Sequence, residues 1–259
     1  MKEKDTAVEV ALQAGQVLLS GWGKPVRQAE KKSAIDLVTE IDRQADQLIT
    51  SALHRAFPTY GILSEEGSQD IEHAGARWII DPLDGTTNYI RGIPMVAVSI
   101  GLEKEGELAL GVIYNPITEE LFIGEAGQGA TRNGEPIHVA DTSDLGRSVL
   151  ASGFPYDAWS NPDNNTAQWS GLIRRVISLR CDGSSAMDLC QVACGRLDGY
   201  WERGIFAWDL AAGALIVREA GGLVSDYAGS GSFLDRGEIV AATPGLYSQI
   251  LELVQNPAI

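Results

Sequence analysis

The densest run of chemistry-bearing side chains is Trp78-Ile79-Ile80-Asp81-Pro82-Leu83-Asp84-Gly85-Thr86-Thr87-Asn88. An apolar strand delivers Asp81 at its end, Pro82 stops the ladder, and Asp84 follows on a tight turn. Two carboxylates three residues apart can face one hard cation, which takes oxygen ligands, and the Leu83 carbonyl between them can complete the set. Gly85-Thr86-Thr87 opens a helix whose free N–H groups and dipole suit an anion such as phosphate. Acids for a metal beside N–H groups for phosphate is a layout for metal-assisted phosphoryl transfer. Capping aspartates in a turn are the ordinary alternative, yet a fixed D-P-x-D-G-T arises by chance in roughly one such chain in ten thousand.

The elements that must hold this run fall into two halves. Thr6-x-x-Glu9 reads as a capping box opening a helix with Val10, Ala14, Val17 and Leu18 on one face, closed by Gly21 to Pro25. A second helix carries Ile41, Ala45, Leu48, Ile49, Ala52, Leu53 and Ala56, and Phe57-Pro58 stops it. Strands at 61–64, 78–80, 96–102, 108–114 and 121–124 follow, separated by turns such as Asn115-Pro116 and Asn133-Gly134, and read as a hairpin-linked sheet. Beyond them, strands at 148–152, 177–180, 199–202, 223–226 and 239–242 alternate with helices at 164–176, after Ser185, at 209–220 and from Pro244. The fold class is therefore α+β followed by α/β. The expected division is an N-terminal unit of residues 1–143 bearing the acidic motif and a C-terminal unit of 144–259 completing the site, with a cleft between them.

Composition narrows the function classes. The 259 residues carry 20 Lys and Arg against 35 Asp and Glu, a formal charge of −15, which argues against nucleic acid or an anionic membrane as partner. With 44% apolar and 21% charged residues the chain is of ordinary globular composition. Its charged start, Met1 to Asp5, shows no secretory signal, and no apolar run approaches the ~18 residues of a membrane span. Three cysteines, Cys181, Cys190 and Cys194, are an odd, clustered set that fits reduced thiols, so a cytoplasmic setting is expected.

D-P-x-D-G-T-x-N after an apolar strand resembles the first signature of the inositol monophosphatase family, within the lithium-sensitive, magnesium-dependent phosphatases. Trp208-Asp209-Leu210-Ala211-Ala212-Gly213 through Glu219-Ala220-Gly221-Gly222 resembles the second signature. Lys32 to Thr39 with Asp42, Ser64-Glu65-Glu66, and Gly183-Ser184-Ser185-Ala186 match further family elements in order, so the resemblance spans nearly the whole chain. It implies a layered α/β/α/β/α sandwich of the inositol monophosphatase and fructose-1,6-bisphosphatase type, up to three Mg²⁺ per site, and usually a homodimer. It further implies that Glu65, Asp81, Asp84 and Asp209, with the Leu83 carbonyl, bind the metals. Asp42 and Thr86 resemble the pair that orients the metal-activated water, with Glu65 beside them in the catalytic set. Asp84, Gly85, Thr86, Gly183, Ser184, Ser185, Glu202 and Asp209 fall on the family's substrate side.

Simpler roles exist for several of these residues. Asp209 and Asp42 both sit at helix starts, where an aspartate commonly caps. Lys32 is an ordinary surface lysine unless the family's loop near the metals forms here, and Glu66 fits a surface position as well as a supporting one. Glu202 either faces vicinal hydroxyls, accepting two hydrogen bonds, or ends a strand and pairs with Arg203 or Arg218. His54, His73 and His138 occupy no motif and read as structural or surface residues, and the three cysteines read as small buried residues of a helix.

The substrate follows from the same motif. Family relatives acting on nucleotide 3′,5′-bisphosphates or histidinol phosphate usually carry a Lys-containing variant after D-G, so Thr86-Thr87-Asn88 favours inositol 1-phosphate. Fructose 1,6-bisphosphate stays open as a second, broader sugar-phosphate substrate. A non-catalytic regulatory partner, as some bacterial relatives are for the transcription machinery, is the alternative of a different class. The acids of the site account for a minority of the −15, and the rest is assigned to a solvated surface.

Overall fold

The computed structural model describes residues 2–24, 28–30, 37–67 and 75–257. Lys32 and Asp36 of the family-like loop, and His73, lie outside the described residues. Helix α1 (Lys2–Gly21) buries Ala7, Val10, Ala11, Ala14 and Leu18 along one face. It starts four residues before the expected cap at Thr6, whose hydroxyl instead donates back to the Lys2 carbonyl at 2.8 Å. That back-bonding satisfies the hydroxyl inside a helix, so the S/T-x-x-E pattern here is not a terminus.

A ribbon of β1 (Gln28–Glu30) and β2 (Leu37–Thr39) leads into α2 (Glu40–Ala56). Thr39 caps α2: its hydroxyl accepts from the Ile41 N–H at 3.1 Å, and Asp42 returns the bond by accepting from the Thr39 N–H at 3.0 Å. There follow β3 (Gly61–Ser64), β4 (Ala76–Asp84), the short helix α3 (Thr86–Arg91), β5 (Ala97–Lys104), β6 (Glu107–Asn115), β7 (Glu120–Glu125), β8 (Gly129–Arg132) and β9 (Glu135–Pro136). These seven strands form one sheet in chain order, parallel only between β3 and β4. The Asn133-Gly134 turn joins β8 to the edge strand β9, two strands too short to register in the sequence pattern.

Strand β10 (Val149–Ser152), helix α4 (Thr166–Leu172), β11 (Ser178–Arg180), α5 (Ser185–Ala193) and β12 (Gly199–Arg203) begin the second sheet. Then come α6 (Ala207–Glu219), β13 (Leu223–Ser225), α7 (Phe233–Arg236), β14 (Glu238–Ala242) and α8 (Pro244–Gln255). Its strand order is β11-β10-β12-β14-β13, with β10 parallel to both neighbours and β14 antiparallel to both of its own. The helix expected over 164–176 covers only Thr166–Leu172, and residues 173–177 run on as turns and bends. Its start is delayed because Asn165 takes a left-handed φ of 67° and the Asn164 side chain accepts from the Thr166 N–H at 3.2 Å. Both are turn chemistry that competes with a helix.

Five layers result. Helices α1 and α2 cover one face of the seven-stranded sheet, α5 and α6 fill the space between the sheets, and α8 with α4 covers the outer face of the second sheet. The alternation of β4 shows this directly: Trp78 and Ile80 pack with α1 and α2, while Ile79 packs with α5 and α6. A strand buried on both faces reads as a continuous apolar run, which is how it stood out in the sequence. Helix α6, buried on nearly every side from Leu210 to Val217, lies in a furrow made by Gly101, Gly111 and Gly124, which pair across β5, β6 and β7. A Cβ on Gly111 would stand 2.4 Å from the Ala212 carbonyl oxygen, and one on Gly101 2.9 Å from the Ala211 Cβ. The missing side chains set how deep α6 sits, and with it the residue at its start, Asp209.

Candidate active site

Asp81 pairs with Ser99 of β5 and Asp84 with Ala97, so three steps on β4 face two on its partner. In a regular strand residues three apart point to opposite faces. The extra residue is a bulge that turns Asp84 to the side of Asp81. Pro82, which has no N–H to give, sits in the interrupted part of the ladder, and pairing resumes after it rather than ending there. Asp81 then accepts from the Leu83 N–H at 2.9 Å, fixing the turn of backbone between the two acids.

Asp209 joins them from the first turn of α6. One of its oxygens accepts from the Phe206 N–H at 2.7 Å, so the residue both holds its helix start and faces the cluster. Asp81, Asp84 and Asp209 each offer an oxygen within 4.8 Å of the others. Glu65 lies outside that tight trio but shares a hydrogen bond with Asp81 and lines the same cavity. Its position follows from β3: Ser64 donates to buried Asp46 of α2, and the Glu65 N–H donates to the Ile80 carbonyl at 3.1 Å. Glu66 is half-buried and does not line the cavity.

Burial dominates the electrostatics. It holds the carboxyls of Asp81 and Asp209 well above the usual range, and the neighbouring acids raise them further. Asp84 is pushed up to about 6 by burial, against the hydrogen bonds it accepts from the Ser184 hydroxyl and, at 2.8 Å, the Ala186 N–H. Those bonds tie the end of β4 to the N-terminus of α5. Among the described residues the cavity wall includes six acids (Glu65, Asp81, Asp84, Asp188, Glu202 and Asp209) and no lysine, arginine or histidine. An all-oxygen donor set with no base beside it fits a hard divalent cation and would repel a bare phosphate.

Thr86, on the same wall, donates to Asp42 Oδ1 at 3.0 Å and approaches the Leu83 carbonyl at 3.2 Å. Asp42 itself stands behind Thr86, only 1% exposed, and burial raises its carboxyl. Gly85, the residue before α3, has a φ of 87°, and a Cβ there would lie 2.7 Å from the Met95 carbonyl, so glycine alone fits. Asn88 ends the motif by donating to the carbonyls of Met95 and Asp182 at 2.8 and 2.7 Å. It pins α3 against the Gly183-Ser184-Ser185 loop, which forms the facing wall.

Glu202 closes the far side. It pairs with neither arginine: Arg203 meets Asp163 and Glu238, while Glu202 accepts from the Tyr200 hydroxyl and from Ser185 Oγ at 3.3 Å. Burial pushes its carboxyl up to about 7, against the Tyr200 bond. Gly153 makes the room, since a Cβ there would strike the Glu202 carboxylate at 2.2 Å. The cavity is about 270 Å³, the size for a small ester rather than a polymer.

Sequence reasoning missed Asp188, Tyr200 and Gly153, whose places depend on packing across β12 and α5. It also placed Cys181 wrongly. Cys190 is buried in α5 and Cys194 ends it, but Cys181 is exposed in the loop before α5 and lies on the cavity wall. His54 and His138 line no part of the cavity.

A sequence model of the inositol monophosphatase family matches residues 2–257. An inositol-1-monophosphatase of Synechocystis is 45% identical over 248 residues, 95% of this chain and 86% of the relative. A protein named Nus factor SuhB from Pasteurella multocida is 41% identical over 251 residues, 96% of this chain and 94% of its own length. Among solved structures, the inositol monophosphatase of Anabaena superposes with a TM-score of 0.88 at 42% identity, covering 96% of this chain and 93% of that one. The extragenic suppressor protein suhB of Bartonella henselae gives 0.93 at 37% identity over the full length of both chains. The chain belongs to the inositol monophosphatase family of phosphatases.

Proposed function

We propose that the protein is a magnesium-dependent phosphomonoesterase that hydrolyses inositol 1-phosphate to inositol and phosphate. The observation that carries this reading is the cavity itself: the Asp81, Asp84 and Asp209 oxygens within 4.8 Å of one another, on a wall that holds no lysine, arginine or histidine among the described residues. Asp81, Asp84, Asp209 and Glu65, with the Leu83 carbonyl, are the residues that would hold Mg²⁺. Bound there, the cation supplies Lewis-acid neutralisation of the phosphoryl oxygens at neutral pH.

The chain's own groups do the rest. Thr86 donates its O–H as a hydrogen bond to Asp42 Oδ1, which leaves its oxygen lone pairs free to accept from a water and aim it at phosphorus. Asp42, raised by burial, is the base to which a proton from that water passes through Thr86. The N–H groups of Gly85 and Thr86 receive the phosphoryl oxygens. On the alcohol side Glu202, with Ser185 and the Gly183–Ser184 backbone, takes vicinal hydroxyls of the cyclitol. The enzyme is proposed to work as a cytoplasmic homodimer, which sedimentation would check.

A panel of inositol 1-phosphate, fructose 1,6-bisphosphate, adenosine 3′,5′-bisphosphate and histidinol phosphate, with and without Mg²⁺, tests the reading. Inositol 1-phosphate should be cleaved fastest, with fructose 1,6-bisphosphate the second substrate. Preference for either of the last two would overturn it. The relatives named Nus factor SuhB support a second, regulatory role beside catalysis. Such a role would survive Asp84→Asn, whereas hydrolysis would not.

A further inference from the structure

One buried acid of the cavity has no part in this scheme. Asp188 stands in the first turn of α5, 2% exposed, on the wall shared with Ser185 and Glu202. Its Oδ1 has no hydrogen-bond partner among the described residues. The usual work of an aspartate at a helix start is already done by Ser184, whose hydroxyl accepts from the Met187 N–H at 3.3 Å, so Asp188 is not a cap. Nor is it an ion pair: the charges that act on it are the carboxylates of Asp182, Glu202 and Asp84, and no cation is among them.

Helical spacing sets the Asp188 side chain beside the alcohol end of the cavity. Ser185 and Asp188 are three residues apart and share a side of α5. Ser185 on that side already bonds Glu202, the acid assigned to the alcohol half of the substrate. An unpartnered buried oxygen destabilises the fold, and such a group is retained where a ligand completes it. A phosphate cannot do so, because it would meet an acid, but a neutral hydroxyl can.

We propose that Asp188 is a substrate-recognition residue whose carboxylate hydrogen-bonds a hydroxyl of the polyol other than those held by Glu202. The cavity would thus read the alcohol through two acids, and selectivity for polyhydroxylated esters over simple ones would come partly from Asp188. This rests on the polyol-phosphate reading above.

The test compares kcat/KM for inositol 1-phosphate with kcat/KM for p-nitrophenyl phosphate, an ester whose alcohol carries no further hydroxyl, in Mg²⁺. The loss of one good hydrogen bond should lower the inositol-to-nitrophenyl ratio about 10-fold in Asp188→Ala, chiefly through KM for the inositol ester. Asp188→Asn keeps the shape and a weaker acceptor, so it should lower the ratio about threefold, and it suffices if the alanine variant does not fold. A ratio left at the wild-type value in the folded variants, or equal losses on both esters, overturns the assignment. Glu202→Gln separates the two readings. If it lowers the ratio while the Asp188 variants do not, the polyol reading stands and Asp188 is only structural. If the wild type shows no preference for the inositol ester and Glu202→Gln changes nothing, the polyol reading fails and takes this assignment with it.

Discussion

The hydroxyl of Thr86 donates to Asp42 across 3.0 Å, joining the residue after the β4 bulge to the first turn of α2, 44 positions earlier in the chain. Asp42 meanwhile caps its own helix by accepting from the Thr39 N–H. The pair therefore combines a chemical task with a structural one, and the two separate by mutation. Thr86→Val removes the hydroxyl at nearly constant volume and should lower kcat about 10²-fold while the bond from the Thr39 N–H to Asp42 that caps α2 stays intact. Asp42→Asn should lose similar activity and also about 1 kcal/mol of stability, since it weakens the cap. Steady-state kinetics beside thermal melts would show this, and a Thr86→Val enzyme with near-normal kcat would refute the assigned role.

Asp84→Asn removes one of the clustered charges while keeping the shape that Ser184 and Ala186 grip. Hydrolysis should fall at least ~10²-fold. In EDTA the variant should melt higher than the wild type, because like charges buried together oppose folding. Added Mg²⁺ should raise the wild-type melting temperature and raise that of the variant less, since only a ligand bound to the folded state stabilises it. Equal Mg²⁺-induced shifts in both proteins would remove Asp84 from the metal set.

Glu202 gives a pH signature. Its carboxyl titrates at about 7 in the folded protein against an ordinary 4.5, because burial disfavours the charge. Between those values the folded state binds more protons than the unfolded one, so stability falls as pH rises through the window and the contribution is gone above the folded value. Melts from about pH 5 to about pH 8 in EDTA should show a slope that is shallower in Glu202→Gln. Identical slopes would mean that Glu202 is not buried as an acid.

Gly111→Ala tests the furrow. The added carbon would meet the Ala212 carbonyl at 2.4 Å, so α6 must rise and carry Asp209 with it. Overpacking of this kind costs roughly 1–3 kcal/mol, and kcat should drop although residue 111 touches nothing in the cavity. A variant that is destabilised but fully active would show that the depth of α6 does not control Asp209.

Much of this site is legible as sequence because its acids sit in fixed spacing on one short run, Asp81 to Asn88, and at one helix start, Asp209. The geometry that makes the spacing useful is not. A bulge at Pro82 depends on how β5 pairs, and the pattern of residues 78–84 alone reads as a strand that stops. Asp188 looks like any acid in the first turn of a helix until the Ser184 cap and the Glu202 wall are in place. The start of α1 was misplaced for a local reason, because Thr6 bonds back along its helix and imitates a cap. Cys181 was misplaced for the opposite reason, being close in sequence to α5 but lying in the loop before it.

The tie between Asp84 and Ser184 spans 100 residues of chain, and Asp209 comes later still. During synthesis the strand bearing Asp81 and Asp84 emerges long before either partner. The nascent first half presents those acids with neither the α5 clasp nor the third carboxylate, so it has no assembled centre with which to engage an ester. Hydrolytic competence arises only once the last layers of the sandwich close on the first, and a truncated product made by premature termination would be inert toward the cell's phosphate esters.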